Sequence, residues 1–111
     1  MFDMKQRTAL LKGTLDLMIL KTLETGARHG LAISERIEQI TGGTFAVKAG
    51  SLFPALHRLE QEGLIAGGWE LTEARRVKSY RLTPRGRSRL GEEKKQWARI
   101  VLAVGQVLDS N

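Results

Sequence analysis

The sequence predicts a mainly α-helical fold with one small β-hairpin and a long C-terminal helix. Three observations predict it. Apolar residues recur at helical spacing in the first half of the chain, the pattern changes to alternation after Gly63, and Thr83-Pro84 begins a segment without a strong helix breaker before Asp109. The chain has 111 residues, 41% hydrophobic and 27% charged, which is the size and composition of one globular domain.

Three helices are predicted before the hairpin. The first covers about Thr14 to Thr25, with room for a further turn or two before it, and is apolar nearly all round, so it must be covered on several sides. The second covers about Leu31 to Ile40. The third begins within Ala49 to Phe53 and holds Pro54 in its first turn, where the missing N–H costs nothing. Each is followed by a glycine that suits the left-handed backbone after a helix: Gly26, Gly42 and Gly63.

Two short strands are predicted after the third helix. Leu64 to Leu71 and Val77 to Leu82 contain β-branched and aromatic residues, and Thr72 to Arg76 joins them as a hairpin loop. The pair Gly67-Gly68 weakens the first strand and indicates a bulge there.

The last helix is predicted to begin after Thr83 as N-cap, with Pro84 at its first position, and to end near Asp109. A helix of about 25 residues spans nearly 40 Å, which is more than a small core covers. Its apolar side chains have a spacing close to a heptad seam, so we expect them to pack against a second subunit. They are Leu90, Trp97, Ile100, Val101, Val104, Val107 and Leu108.

Positive charge is concentrated in one stretch. The chain has 18 Lys and Arg residues against 12 Asp and Glu residues, a net charge of +6. Residues 75–89 contain seven basic residues and no acid, so this stretch accounts for the whole excess. Concentrated positive charge attracts polyanions, and a solvated basic face without a partner is the plainer alternative.

The order of the elements favours DNA as the polyanion. Three helices followed by a basic hairpin form a winged helix-turn-helix plan, in which one helix enters the major groove and the hairpin lies on the backbone or the minor groove. We expect residues 1–83 to form the DNA-binding domain and residues 84–111 the dimerisation helix, as one structural unit. The outer face of the third helix carries one positive charge and no acid. The candidate DNA-contacting residues are Lys48, Ser51, Pro54, His57, Arg58, Gln61, Arg75, Arg76 and Lys78.

An enzyme is the least favoured class of protein. The chain has no cysteine, which excludes disulfides, thiolate nucleophiles and zinc–thiolate sites. His29 is interpreted as structural, and Ser51 has no His/Asp pattern beside it, so no catalytic residue, metal site or cofactor is predicted. No apolar stretch approaches about 18 residues, and residues 1–12 lack a signal-peptide core, so we expect a cytoplasmic location.

Four segments of the chain resemble one known family. They read L-L-K-G-T-L-D-L-M-I-L at residues 10–20, H-G at residues 29–30, G-S-L-F-P-A-L-H-R-L-E-Q-E-G-L-I at residues 50–65 and R-R-V-K-S-Y-R-L-T-P-R-G at residues 75–86. In these segments the chain resembles the short form of the PadR family of bacterial transcriptional regulators. The resemblance implies a homodimer at the bacterial nucleoid, joined through the C-terminal helix with help from the N-terminal helix. It also implies repression from a pseudo-palindromic operator, and release by a small aromatic or drug-like effector.

The chain departs from the family pattern at four positions. Phe53 stands where the family usually has Tyr, and Leu31 follows His-Gly where Tyr is usual. The wing has Ala74 at its tip instead of Asn or Gly, and Ser79 instead of a second aromatic residue. Its loop is expected to be one residue shorter than the family's.

Two other functions of the same residues stay open. A winged-helix module that binds protein needs an exposed apolar patch on the third helix, and a membrane-surface protein would use the basic amphipathic C-terminal helix. Trp97 is interpreted as a packing anchor between subunits, with a stacking platform for a flat aromatic ligand as the alternative. We expect Arg85, Arg87 and Arg89 to attract phosphates generally.

Overall fold

The structure, a computed structural model, describes residues 4–111, with side chains from residue 13 onward. In chain order the elements are α1 (Met4–Thr22), β1 (Arg28–His29), α2 (Gly30–Ile40), α3 (Ala49–Gln61), β2 (Ile65–Thr72), β3 (Arg75–Leu82) and α4 (Pro84–Leu108). The strands form one antiparallel sheet in the order β1-β3-β2. The predicted fold class is therefore confirmed, with the two-residue strand β1 as an addition.

One apolar core joins the helices to the sheet. Leu20 of α1, Ile33 of α2 and Leu56 of α3 are almost completely buried in it. Tyr80 of β3 and Leu90 of α4 close the core on the side of the sheet. The core therefore fixes α3 against α1 on one side and against the hairpin on the other.

Helix α3 begins earlier relative to Pro54 than the sequence analysis predicts. The N-cap is Lys48, whose carbonyl accepts hydrogen bonds from the N–H groups of Ser51 and Leu52. Pro54 therefore lies in the second turn, and its placement in the first turn is wrong. The missing N–H leaves the carbonyl of Gly50 without its helical donor, which is tolerable because Gly50 is exposed to water.

Helices α3 and α1 end in different ways. α3 ends in a Schellman motif: Gly63 has φ of 75°, and the Leu64 N–H donates to the carbonyl of Leu59 over 3.0 Å. The predicted stop at Gly63 is thus confirmed. α1 ends at Thr22 and not at Thr25, so the predicted placement of Gly26 directly after this helix is wrong. The Thr22 carbonyl accepts from the Arg28 side chain at 2.9 Å.

The hairpin is longer and more regular than the sequence predicts. β2 and β3 pair without interruption from Ile65↔Leu82 to Thr72↔Arg75, so the predicted bulge at Gly67-Gly68 is wrong. The loop contains only Glu73 and Ala74, whose φ angles of 51° and 80° are those of a type I′ turn. Such a turn matches the twist of the strands, and it moves Arg75 and Arg76 out of the predicted loop and into β3.

Helix α4 is fixed at its start and extends away from the core. The Thr83 Oγ1 accepts from the Gly86 N–H at 2.9 Å, which confirms the predicted N-cap, and donates to the Gly63 carbonyl at 2.7 Å. A Cβ on Gly86 would collide with the Leu64 carbonyl oxygen, so glycine lets α4 approach the start of β2. Leu90 is 1% exposed, so its predicted place in the subunit interface is wrong: it belongs to the core of its own chain.

No described helix has the length and apolar character needed to cross a membrane.

Candidate nucleic-acid interface

The outer face of α3 is exposed and polar. Leu52, Leu56 and Leu59 point into the core, because they recur at helical spacing on one side. The opposite side remains in water, together with the N-cap residue. Its exposed members are Lys48, Ser51, Pro54, His57 and Gln61. The backbone N–H groups of the first turn add a favourable position for a phosphate.

Arg58 differs from the other candidates on α3 because its charge is compensated. Its Nη2 donates to Asp16 Oδ1 of α1 at 2.5 Å, and its Nη1 lies 3.9 Å from Glu62 Oε2. The hydrogen bond to Asp16 raises the pKa of Arg58, and the charge of Glu62 adds to the effect. The expectation of an uncompensated positive charge on this face is therefore wrong, because α1 supplies an acid that the α3 sequence does not contain.

Lys78 is also bound to an acid. Its Nζ lies 2.8 Å from Glu60 Oε1 of α3, so the side chain points toward the helix. This hydrogen bond raises the pKa of Lys78 and lowers the pKa of Glu60. The other carboxylate oxygen of Glu60 accepts from the Gly67 N–H of β2 at 3.1 Å. Glu60 thus joins α3 to both strands of the hairpin.

The wing, residues 65–82, carries its uncompensated charge near the tip. Arg75 and Arg76 are exposed and form no ion pair with any residue that the structure describes. The Arg76 guanidinium lies 4.9 Å from the centre of the Trp69 ring, which is 60% exposed. This cation–π contact limits the positions of the guanidinium without neutralising it.

Four further arginines follow the wing tip. Arg81 lies on β3, and Arg85, Arg87 and Arg89 lie on the first turns of α4. None forms an ion pair within the described part of the chain. Of the basic run at residues 75–89, Lys78 alone is paired there.

The described side chains contain no metal centre. No group of three or more His, Asp and Glu residues among them is arranged to hold a metal ion. His29, the N-cap of α2, lies 3.3 Å from Glu70 of β2, and this contact ties β1 to the hairpin. This contact agrees with the structural interpretation of His29.

The second half of α4 exposes a continuous apolar stripe. Trp97 is 43% exposed and Leu108 is 77% exposed, and the exposure rises along the helix. The other members are Ile100, Val101, Val104 and Val107. Trp97 also lines a groove of about 310 Å³ between α1, α2 and α4, whose walls include Leu17, Met18 and Ile40.

Sequence reasoning missed Asp16, Glu60 and Trp69, each of which holds a candidate cation. The acids pair with Arg58 and Lys78, which are 42 and 18 residues away along the chain. The alternation of β2 and β3 could have placed Trp69 opposite Lys78, had the two-residue loop been predicted.

Comparison with known proteins also indicates a transcriptional regulator. Residues 19–92 match the model of the transcriptional regulator PadR-like family. An uncharacterized protein of Lysinibacillus sphaericus is 30% identical over 95 residues, which are 85% of this chain and 87% of the relative.

Two solved structures share the fold. A transcriptional regulator from Clostridium thermocellum has a TM-score of 0.82 at 28% identity, covering 88% of this chain and 96% of its own. A PadR family transcriptional regulator from Eggerthella lenta has a TM-score of 0.81 at 29% identity, covering 96% of this chain and 93% of its own. Because the family model covers more than half of the chain and both structures are of transcriptional regulators, the chain belongs to the PadR-like family of DNA-binding transcriptional regulators.

Proposed function

We propose that the protein is a repressor that binds a pseudo-palindromic operator as a homodimer in the bacterial cytoplasm. One observation carries the proposal: Glu60 joins α3, which has the exposed polar face, to the wing, whose arginines form no ion pair among the described residues. Two adjacent surfaces, one polar and one basic, suit the base edges and the phosphates of a single duplex.

On this proposal α3 enters the major groove. Ser51, His57 and Gln61 face the base edges, and Lys48 and the first-turn N–H groups hold a phosphate. Arg58 reaches a base or phosphate when it leaves Asp16. Arg75 and Arg76 lie on the backbone or in the minor groove, and the arginines that follow the wing attract phosphates without reading sequence.

The distal stripe of α4 supplies the dimer. Residues 84–111 serve as the dimerisation helix and residues 1–83 as the DNA-binding domain. A stripe at heptad-like spacing packs against the same stripe of a second subunit, and it does so at positions beyond Leu90, which the core already covers. The two α3 helices then meet half-sites about 34 Å apart, one turn of DNA.

Trp97 gives the dimer a place for an effector. Its exposed ring beside the groove at Leu17 and Met18 suits a flat aromatic compound that is held between subunits. Binding there would change the angle between subunits and so release the operator.

Selection of bound duplexes from a random pool, followed by footprinting, tests the operator. We expect an inverted repeat with half-sites one turn apart, and a steep loss of affinity as salt rises. Transcription in vitro from a promoter that overlaps the selected site should fall as protein is added. Equal affinity for all duplexes of one length would contradict specific recognition, and the interaction module that binds protein would then be the better hypothesis.

A further inference from the structure

We propose that Glu60 is a positioning residue that sets the wing relative to α3, and that Lys78 serves this link instead of a DNA phosphate. The inference rests on the proposed DNA recognition and deepens it, because it assigns a role in specificity to an acid. It also revises the expectation that Lys78 contacts DNA.

The geometry of Glu60 supports this role. Its two oxygens are used on two strands: Oε1 is 2.8 Å from Lys78 Nζ of β3, and Oε2 accepts from the Gly67 N–H of β2 at 3.1 Å. Glu60 and Lys78 are each about 30% exposed, so the pair is partly shielded from water. A two-point attachment restrains rotation of the hairpin about its contact with α3, which a single bond would permit.

Gly67 leaves room for the contact between Lys78 and Glu60. A Cβ at this position would lie 2.7 Å from Glu60 Oε2 and would collide with the Lys78 Cε. Because β2 and β3 pair regularly here, glycine is not required by a bulge or by a positive φ. The absent side chain is the space through which the Lys78 stem passes to reach Glu60.

The charge of Glu60 is the reason that this role can be tested. An acid beside a surface that binds a polyanion repels the ligand, so its removal should strengthen binding to every duplex. A positioning acid gives the opposite result for the operator, since the wing loses its orientation. The sign of the effect therefore separates the two roles.

The experiment compares Glu60→Ala with Glu73→Ala in the full chain. Glu73 lies at the wing tip and forms no ion pair with any described residue, so both variants lose one acid and one side chain of the same size. Affinity is measured for the selected operator and for a scrambled duplex at several salt concentrations. Circular dichroism and thermal unfolding report whether each variant is folded.

We expect Glu60→Ala to lower the affinity for the operator about tenfold, which is the size of effect found when two residues in contact are coupled. The affinity for the scrambled duplex should stay the same or rise. Glu73→Ala should strengthen both slightly. Operator binding by Glu60→Ala that equals or exceeds the wild type would overturn the inference.

Lys78→Ala supplies an independent test if Glu60→Ala fails to fold. As part of the link, Lys78→Ala should reduce operator affinity without changing the salt slope. Where Glu60→Ala folds, the double variant Glu60→Ala/Lys78→Ala should lose no more affinity than Glu60→Ala alone, because Glu60→Ala already removes both attachments. A salt slope lower by about 1 would instead show that Lys78 binds a phosphate and would refute the inference. Failure of the proposed function looks different, because wild-type protein would then not prefer the operator.

Discussion

The wing and the distal part of α4 are both exposed, yet the wing exposes positive charge and the helix exposes apolar side chains. Arg75 and Arg76 lie in water at the wing, whereas Val101 and Val107 are 53% and 72% exposed on the long helix. Among the residues whose side chains are described, the core of this 111-residue chain reaches α4 only as far as Leu90. Surface beyond the core is therefore available for binding. Its chemistry suits a polyanion at the charged side and, on the proposed function, a second subunit at the apolar stripe.

The largest effect is expected from a charge in the apolar stripe. Val101→Glu should convert the dimer to a monomer, because an unpaired carboxylate would be buried at the seam. Operator affinity should fall by about 100-fold or more, since two linked half-site contacts become one. Sedimentation velocity measures the subunit state and gel shift the affinity.

Gln106→Glu is the matched control for this prediction. It places the same charge on the opposite side of α4, on an exposed residue. It should remain a dimer. A Val101→Glu protein that stays dimeric and binds the operator normally would remove the distal helix from the interface.

The next largest effect is expected at Arg58. Arg58→Ala should weaken operator binding by about 1–3 kcal/mol and relax specificity at the base pair that it reads. The measurement is affinity for the operator and for its single-base variants. Asp16→Asn removes the acid at 2.5 Å and should not weaken binding. If Arg58 only joins α3 to α1, both variants should lower thermal stability alike and leave specificity unchanged.

A smaller and more uniform effect is expected at the wing. Arg76→Ala should weaken all duplexes by about 1 kcal/mol and reduce the salt slope by about 0.9, because one phosphate contact is lost. Arg36→Ala, on the exposed side of α2, removes the same charge elsewhere and serves as control. Identical behaviour of the Arg76 and Arg58 variants would mean that their separate roles are wrongly assigned.

The smallest effect is expected from protonation of Glu60. Its pKa is held below the ordinary value of 4.5, first by the hydrogen bond from Lys78. A depressed pKa in the folded state contributes stability above the unfolded-state pKa, and this contribution disappears as the pH falls through the folded value. Urea unfolding should show a constant difference between wild type and Glu60→Ala at neutral pH, and this difference should become smaller in acid. High salt should reduce it, because the pair is partly exposed.

Local signals in the sequence predicted the four helices and the hairpin, but not the two-residue strand β1 or the contacts between residues far apart in the chain. Thr83-Pro84 predicts the start of α4 because capping depends on adjacent residues. The turn at Glu73 and Ala74 could not be predicted from the sequence, because type I′ turns usually contain Asn or Gly. Arg58 looked uncompensated because its partner on α1 becomes a neighbour only after folding. The exposed face of α3 could be predicted from periodicity. The ion pair that compensates Arg58 on this face could not.

The contact between the end of α3 and the start of α4 limits how the long helix can move. The Thr83 hydroxyl lies 2.7 Å from the carbonyl of Gly63, the glycine that follows α3. Gly86 lets the long helix lie close against the Leu64 backbone. These two contacts oppose sliding of α4 along its axis. A tilt of about 5° in this 25-residue lever, about 37 Å long, would swing its far end by about 3 Å. In the proposed dimer, a change in the angle between the subunits would therefore alter the spacing of the two α3 helices.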